Sequence, residues 1–406
     1  MAEIITGIDI GTSEIKVVVA ENRNGHPNVL KVFKERSLGL KKGAVHDLTE
    51  TVQALSRVFP QIRDISKSAV KNIYVNIGTS QVRAQHSRGV AAVSRADSEI
   101  YQDDIDRVVR ASQILNLGSN RMIVHTITKE FIVDGVGDIT EPVGLGGSRL
   151  EVTTLVIDAF EPHVKSLIKA IQLNGGFIKG MAFDPLISAR AALSKVQRDL
   201  GTVLVDIGHG TTGMVVYEEN KLLGAAVFPM GAANITNDIA IGLKIPVAAA
   251  ESIKLNYGYA VPSDVGVRDT IDLKKICGEG HGPVSRRLVS EIIEARTSEI
   301  LEFVQSELKL MGRAGQLAGG VVLVGGGAKL PGIADLAKQE LRLAAQIGLV
   351  ADRNDWFGAE GMGEVFDDPE YVNVLGLVLW GGDEEGWFKK KQRYGGVKQL
   401  LRYFLP

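Results

Sequence analysis

Asp9 and Lys16 flank a small-residue turn, Gly11-Thr12-Ser13, set between an apolar run and a β-branched run. Strand, tight turn and returning strand at this spacing describe a hairpin whose tip is clear of bulky side chains. Its backbone N–H groups and hydroxyls converge on one spot. With Lys16 they suit phosphate oxygens, while Asp9 suits a water-coordinated Mg²⁺. A Gly-Thr-Ser turn is also an ordinary way to close a hairpin. Residues 203–217 repeat the plan, with an apolar strand, Asp206, Ile207, Gly208, the turn His209-Gly210-Thr211-Thr212 and a second apolar run. Two copies half a chain apart point to two related domains facing each other across a nucleotide. A third turn, Gly325-Gly326-Gly327 with Lys329 close behind, lies between an apolar strand and a helix start. Bare backbone there can approach a flat base or a phosphate.

The elements that must position these turns follow from pattern. Residues 29–33 read as a third strand and 48–59 as a helix capped by Asp47 or Thr49, with a buried strand at 73–78. Residues 82–159 change character, alternating strands with one helix at 103–115 and showing no phosphate-type turn. An amphipathic helix at 161–173, a strand at 177–184 and a helix at 185–193 lead to the second half. Helices follow at 235–241 and 247–255. Residues 261–282 are rich in turns, with a strand candidate at Ile271 and Leu273, and 284–293 fits strand or helix equally. Ile300, Leu301, Val304 and Leu308 recur at helical spacing over 296–311. Helices at 332–341 and 371–380 complete the folded part. Then come Gly381-Gly382-Asp383-Glu384-Glu385-Gly386 and a basic run, Lys389-Lys390-Lys391-Gln392-Arg393.

At 406 residues the chain has room for two or more domains, and 45% apolar residues, 23% charge and 46 glycines describe a soluble α/β protein with many turns. A formal net charge of −2 offers nothing to nucleic acid. Cys277 is single, which excludes an internal disulfide and agrees with a reducing compartment. No basic-plus-apolar leader opens the chain. The apolar run at 374–380 is too short to span a bilayer.

With the three turns in hand, the chain resembles the actin/Hsp70/hexokinase superfamily. Residues 7–16 resemble its first phosphate motif, 205–212 the second and 321–332 the adenosine motif. Within that superfamily it resembles the FtsA family of bacterial cell-division proteins, essentially end to end. The likeness rests on the insertion carrying Phe131-Ile132-Val133-Asp134-Gly135, on residues 246–254, and on an amphipathic tip behind a linker. The fold implied is an α/β, actin-like, two-lobed ATPase fold with an inserted small α+β subdomain and a C-terminal amphipathic helix. Residues 1–82, 160–198 and 366–381 would form the first core domain, 83–159 the insertion, 199–227 and 296–365 the second core domain, and 228–295 its subdomain. Residues 382–394 would be a flexible linker and 395–406 a membrane-targeting helix. Two connecting helices, 181–193 and 373–381, would cross between the halves.

The resemblance implies ATP and Mg²⁺ as cofactors. Asp9 and Asp206 would hold the metal through water, Lys16 and the two turns the phosphates, and Glu251, Lys254 and the Gly325 turn the adenosine. Relatives usually carry glycine at the place of His209 and an acid at the place of Gly213. The missing acid removes a candidate for orienting the attacking water, so hydrolysis is expected to be slow or absent. His209 offers a phosphate contact, or simply faces solvent. The implied partners are further copies of the chain in a head-to-tail filament, the C-terminal peptide of FtsZ, anionic membrane lipid and later division proteins, at the cytoplasmic face of the inner membrane. Arg286, Arg287 and Arg296 would meet the FtsZ peptide, or form a solvated helix face. Val397, Leu400, Leu401, Phe404 and Leu405 fall at i, i+3, i+4, i+7 and i+8, one face of a helix, with Lys398, Gln399 and Arg402 opposite. Burying five such side chains contributes at most about 8–12 kcal/mol, and each nearby Lys or Arg about 1 kcal/mol at anionic lipid. Three rivals explain less. A small-molecule kinase needs a catalytic aspartate in a substrate cleft, an Hsp70-type ATPase needs a following peptide-binding domain, and a pilus-assembly relative has no use for the tip.

Overall fold

The computed structural model describes residues 3–278, 282–351, 355–357 and 362–386. The expected membrane helix at 395–406, with Val397, Leu400, Leu401, Phe404 and Leu405, and the linker from 387 onward lie outside the described residues.

Two five-stranded sheets share one topology. In the first, Ile178–Phe183, Ile73–Ile77, Ile4–Ile10, Glu14–Arg23 and His26–Arg36 lie in that spatial order. In the second, the order is Ala345–Ile347, Val321–Val324, Thr202–Ile207, Thr212–Glu218 and Lys221–Phe228. Each begins as a three-stranded antiparallel meander and adds two parallel strands beside its first strand. The registers agree as well, since Asp9 stands opposite Lys16 and Asp206 opposite Gly213. The duplication expected from the turns is therefore a duplication of whole sheets. Thr202–Ile207 is buried along its full length, as a central strand covered on both faces must be.

Two helices cross between the sheets, Asp184–Ala192 and Val372–Glu385. Residues 181–183 belong to the preceding strand instead of the first crossing helix. Leu204, Val215, Val322 and Val324 of the second sheet join the same apolar core as Ile5, Ile8, Leu186, Leu375 and Val378, while Val203, Val205, Val321 and Leu323 pack into a separate core on the far face. Alternate side chains of one strand thus serve two cores. Close approach of the crossing helices depends on glycine. A β-carbon at Gly7 would stand 3.0 Å from the Val374 carbonyl oxygen and 3.1 Å from Leu377 Cβ.

The insertion is a four-stranded antiparallel sheet ordered Arg83–Ala92, Arg149–Phe160, Arg121–Val133, Val136–Ile139, with the helix Gln102–Ser112 packed on it. It has its own core, including Ile100, Val108, Phe131, Leu150 and Val152. Lys221 of the second sheet pairs with Asp138 at its tip. A fourth core, including Ile239, Ile253, Ile271 and Val289, serves the helices around 232–293.

Several local expectations are corrected. The first helix runs Leu48–Ile65, through Pro60, because Val58, Phe59 and Ile62 continue its buried stripe. Tertiary burial outweighs the one hydrogen bond that proline removes. Leu273 opens a short helix, Leu273–Cys277, capped by Asp272, so the strand is only Thr270–Asp272. The ambiguous 284–293 stretch divides: Val284 and Ser285 end a short strand, Pro283–Ser285, paired with Thr270–Asp272, and the rest joins the secure helix, giving Arg286–Leu310. The flexible linker does not begin at 382, since the last helix continues to Glu385. Gly381 and Gly382 are helix breakers only by local propensity. Here Gly381 lets the helix lie against the Tyr74 ring, Arg190 Nε pairs with Asp383 at 2.7 Å, and the Tyr74 hydroxyl donates to Glu385 at 2.9 Å. No helix among the described residues is long and apolar enough to cross a membrane.

Candidate nucleotide cleft

Both hairpin turns, the Gly325 turn and the start of one crossing helix open onto a single cleft of about 1160 Å³ between the sheets. Asp9, Gly11, Thr12, Ser13, Lys16, Asp206, Gly208, His209, Gly210, Thr211, Glu251, Lys254, Gly325, Gly326, Gly327 and Lys329 all line it. Thr212 does not. It begins the returning strand and its side chain is wholly buried.

The two turns close in the same way. The Gly11 N–H donates to the Glu14 carbonyl at 3.0 Å, and the Gly208 N–H donates to the Thr211 carbonyl at 2.9 Å. They also touch each other. A β-carbon on Gly210 would stand 2.9 Å from Thr12 Oγ1, and the Thr12 hydroxyl accepts the Gly43 N–H at 3.1 Å. Gly231 lets the helix Ala232–Leu243 start directly on the second turn, with Ala232 and Ala233 donating to the carbonyls of Gly208 and His209 at 2.9 and 2.8 Å. At Gly325, φ is +84° and a β-carbon would overlap Asp206 Oδ1, so glycine is required twice over.

The floor holds a carboxylate that sequence reasoning missed. Asp184, the first residue of a crossing helix, is half-buried beside Asp9 and Asp206, with its Oδ1 wholly covered. Asn76 joins two of the three, donating to Asp9 at 2.8 Å and to Asp184 at 3.3 Å while accepting the Ile10 N–H at 2.7 Å. Ser188 donates to Asp206 at 3.2 Å and contacts Asn373 at 2.9 Å. Burial pushes all three carboxyls up: Asp206 to about 6 with repulsion from Asp9, Asp184 well above its ordinary range with repulsion from Asp9 and Asp206, and Asp9 upward, with Glu370 and Glu14 repelling it, despite Lys16. The signal for Asp184 was present in sequence, an Asp-Pro pair at the carboxyl end of a strand, where ligands of open α/β sheets bind. Asn76 and Asn373 had no comparable signal.

Around the rim, Glu370 joins Lys34 at 3.1 Å and Lys329 at 3.1 Å, and Lys329 also pairs with Asp368 at 2.5 Å. The Lys329 ammonium is thus held by the loop before the last helix. Lys254 is buried and donates to Glu251 at 2.8 Å and to Thr236 at 2.9 Å, while the Thr236 hydroxyl also donates to Glu251. This ties together the helices Ala232–Leu243 and Val247–Tyr257, and it holds the Glu251 carboxyl low against the effect of its burial.

Mg²⁺ fits this donor set when it is held through water. Asp184 Oδ1 is a buried acceptor with no hydrogen-bond partner, next to two other carboxylates raised by burial and repulsion. Among the described residues, no group of three His, Cys, Asp or Glu side chains is spaced to coordinate an ion directly.

The arginines expected to meet a partner lie away from the cleft on one helix. Arg296 forks Asp238 at 2.5 and 3.1 Å and also pairs with Glu299. Arg286 donates to the Tyr257 carbonyl at 2.9 Å, and Arg287 lies 3.6 Å from Glu291.

Two like sheets, two helices crossing between them and a cleft floored by facing hairpins define a two-lobed actin-like fold. Solved structures agree. The PilM–PilN type IV pilus biogenesis complex matches with a TM-score of 0.67 at 18% identity, over 93% of this chain and 98% of that one. MreB5 of Spiroplasma citri bound to ADP matches with a TM-score of 0.55 at 12% identity, over 93% and 96%. In sequence, the profile of cell division protein FtsA matches residues 203–376, and that of the SHS2 domain inserted in FtsA matches 79–158. Cell division protein FtsA of Bacillus subtilis is 34% identical over 376 residues, 93% of this chain and 83% of the relative. That of Borreliella burgdorferi is 32% identical over 398 residues, 98% and 95%. The chain belongs to the FtsA family of cell division proteins.

Proposed function

We propose that this protein binds ATP with Mg²⁺ in the cleft, polymerises head to tail on the cytoplasmic face of the membrane, anchors the FtsZ ring and helps recruit later division proteins. The observation that carries the first step is the pair of hairpins that face each other with matching hydrogen bonds, Asp9 behind one and Asp206 behind the other. MreB5 of Spiroplasma citri, which shares the fold, is solved with ADP and with AMPPNP. Lys16 and the turn backbones would take the phosphates. The Gly325 turn, Glu251 and Lys254 would take the adenosine, and Lys329 would hold the Asp368–Glu370 loop beside it. A bound Mg²⁺ would neutralise phosphate charge, held through water by Asp9 and Asp206. Turnover is expected to be slow or absent. Gly213 brings no acid, and its β-carbon position lies 2.5 Å from Pro185 Cγ, leaving no room for one. Asp184 is the remaining group at the floor able to hold a proton or orient a water. Calorimetry should show MgADP and MgATP binding, and absence of any adenine-nucleotide affinity overturns the reading.

The finer steps rest on family membership and on the sequence. Residues 83–159 form a separately cored unit, suited to a longitudinal contact between copies. Residues 228–295 would take the FtsZ C-terminal peptide. Because Arg296 is held by Asp238 and Glu299, an acidic peptide would have to compete with Asp238. Charge reversal at Arg296 should therefore weaken the peptide, and unchanged affinity removes this residue from the site. The tip at 395–406 would be the membrane anchor, weak singly and firm along a filament. Electron microscopy on anionic vesicles with ATP should show membrane-bound filaments that Leu401→Glu detaches. Bare vesicles with the unaltered protein, or undiminished binding by the variant, refute the anchor.

A further inference from the structure

We propose that His209 becomes a positively charged contact for the nucleotide's phosphates, so that binding in the cleft takes up a proton. The inference rests on the nucleotide reading above and extends it to one residue of the second turn.

The two hairpins correspond bond for bond, Gly11 to Glu14 in one and Gly208 to Thr211 in the other. By that correspondence His209 occupies the place of Thr12, and Gly213 the place of Lys16, opposite its aspartate. The first hairpin therefore brings a carboxylate and a lysine to the cleft. The second brings Asp206 and, from 206 to 213, no Lys or Arg. Lys254, on the helix beside it, is committed to Glu251, Thr236 and the Ala232 carbonyl. A phosphate settled between the turns would meet negative charge and bare backbone on the second side unless His209 supplies the cation.

His209 is placed for this. It is half-buried, lines the cleft, and has its main chain pinned by the Ala233 N–H. The charged groups facing it are Lys254 and Glu251 from the helix Val247–Tyr257, and Glu14 from the first hairpin. Burial and Lys254 together hold the imidazole below its ordinary pKa, against the opposing pull of Glu251 and Glu14, so it is neutral in the free protein near pH 7. Phosphate charge reverses that balance and favours the imidazolium. The first turn needs no such device because it already brings Lys16 to the cleft.

The test is calorimetry of the full-length protein with MgADP, repeated in buffers of differing ionisation enthalpy to count protons. Wild type is compared with H209Q, which keeps most of the side-chain bulk, and H209G. Protons shed by Asp9, Asp184 and Asp206 are common to all three and cancel. Wild type should take up on the order of half a proton more than either variant near pH 7, and its affinity should fall several-fold more from about pH 6 to pH 8. Binding with equal uptake and equal pH dependence in all three proteins overturns the inference and leaves the nucleotide reading standing. No binding by wild type overturns both.

Discussion

Replacing Asp206 with asparagine should stabilise the nucleotide-free protein at pH 8 and weaken magnesium nucleotide by about 10–100-fold. The two effects share one cause. Asp206 is buried beside Asp9, and its folded pKa of about 6 lies above the ordinary 3.8. Between those values the folded chain holds more protons than the unfolded one, so this group's contribution to stability falls as pH rises through the window. Two pKa units correspond to about 3 kcal/mol of cost fully present at pH 8. Asparagine can still accept from Ser188, so about 1–2 kcal/mol of that cost should be recovered, within the range that cap and charge optimisation commonly achieves. Thermal melts should place the variant about 2 °C above wild type at pH 8, with most of the difference gone near pH 4, where the folded carboxyl is protonated and the unfolded one, at its ordinary 3.8, is partly so. A variant that melts lower at pH 8 would mean that the cleft carboxylates are not a cost to the free protein. The same reasoning makes added Mg²⁺ more stabilising at pH 8 than near pH 5.

Gly376→Ala is expected to cost about 3 kcal/mol or more, the largest stability effect of any single methyl in the crossing helices. In an exposed helix the same change would gain about 1 kcal/mol from backbone entropy. At 376 the added carbon overlaps the carbonyl oxygen of Ile187 and crowds its carbonyl carbon. Those are backbone atoms of the opposing helix, which cannot rotate aside as a side chain would. Relief requires the helices Asp184–Ala192 and Val372–Glu385 to separate, and that movement opens the core they share with both sheets and shifts Asp184 at the cleft floor. Denaturant unfolding compared with Gly146→Ala, outside any helix, where a β-carbon meets nothing within 4 Å, separates the cost of crowding from that of an added methyl as such. Wild-type stability for Gly376→Ala would show that the helices are free to part.

Much of the site was legible in one dimension because each turn is a local object. Glycine and small hydroxyl residues between two apolar strands specify a hairpin by hydrogen bonds three residues long, and the chain makes those bonds at both Gly11 and Gly208. Periodicity identified the helix stripe of Ile300, Leu301, Val304 and Leu308, all buried. It stopped short where local signals contradicted long-range packing. Pro60 and the Gly381-Gly382 pair read as helix ends, yet both helices run on. The contacts that carry them, Phe59 in the core and Gly381 against Tyr74, come from elsewhere in the chain.

By itself, then, the sequence determined the three turns and the duplicated plan, since each depends on neighbours within a few positions. Tertiary structure alone decided the company their residues keep. Asp184 reaches Asp9 and Asp206 only because its helix crosses between the sheets, and Asn76 reaches Asp9 across 67 positions of chain. Arg296 faces Asp238, and Lys329 faces Asp368, for the same reason. Protonation followed from that assembly, because the penalty on a buried charge depends on what surrounds it in space.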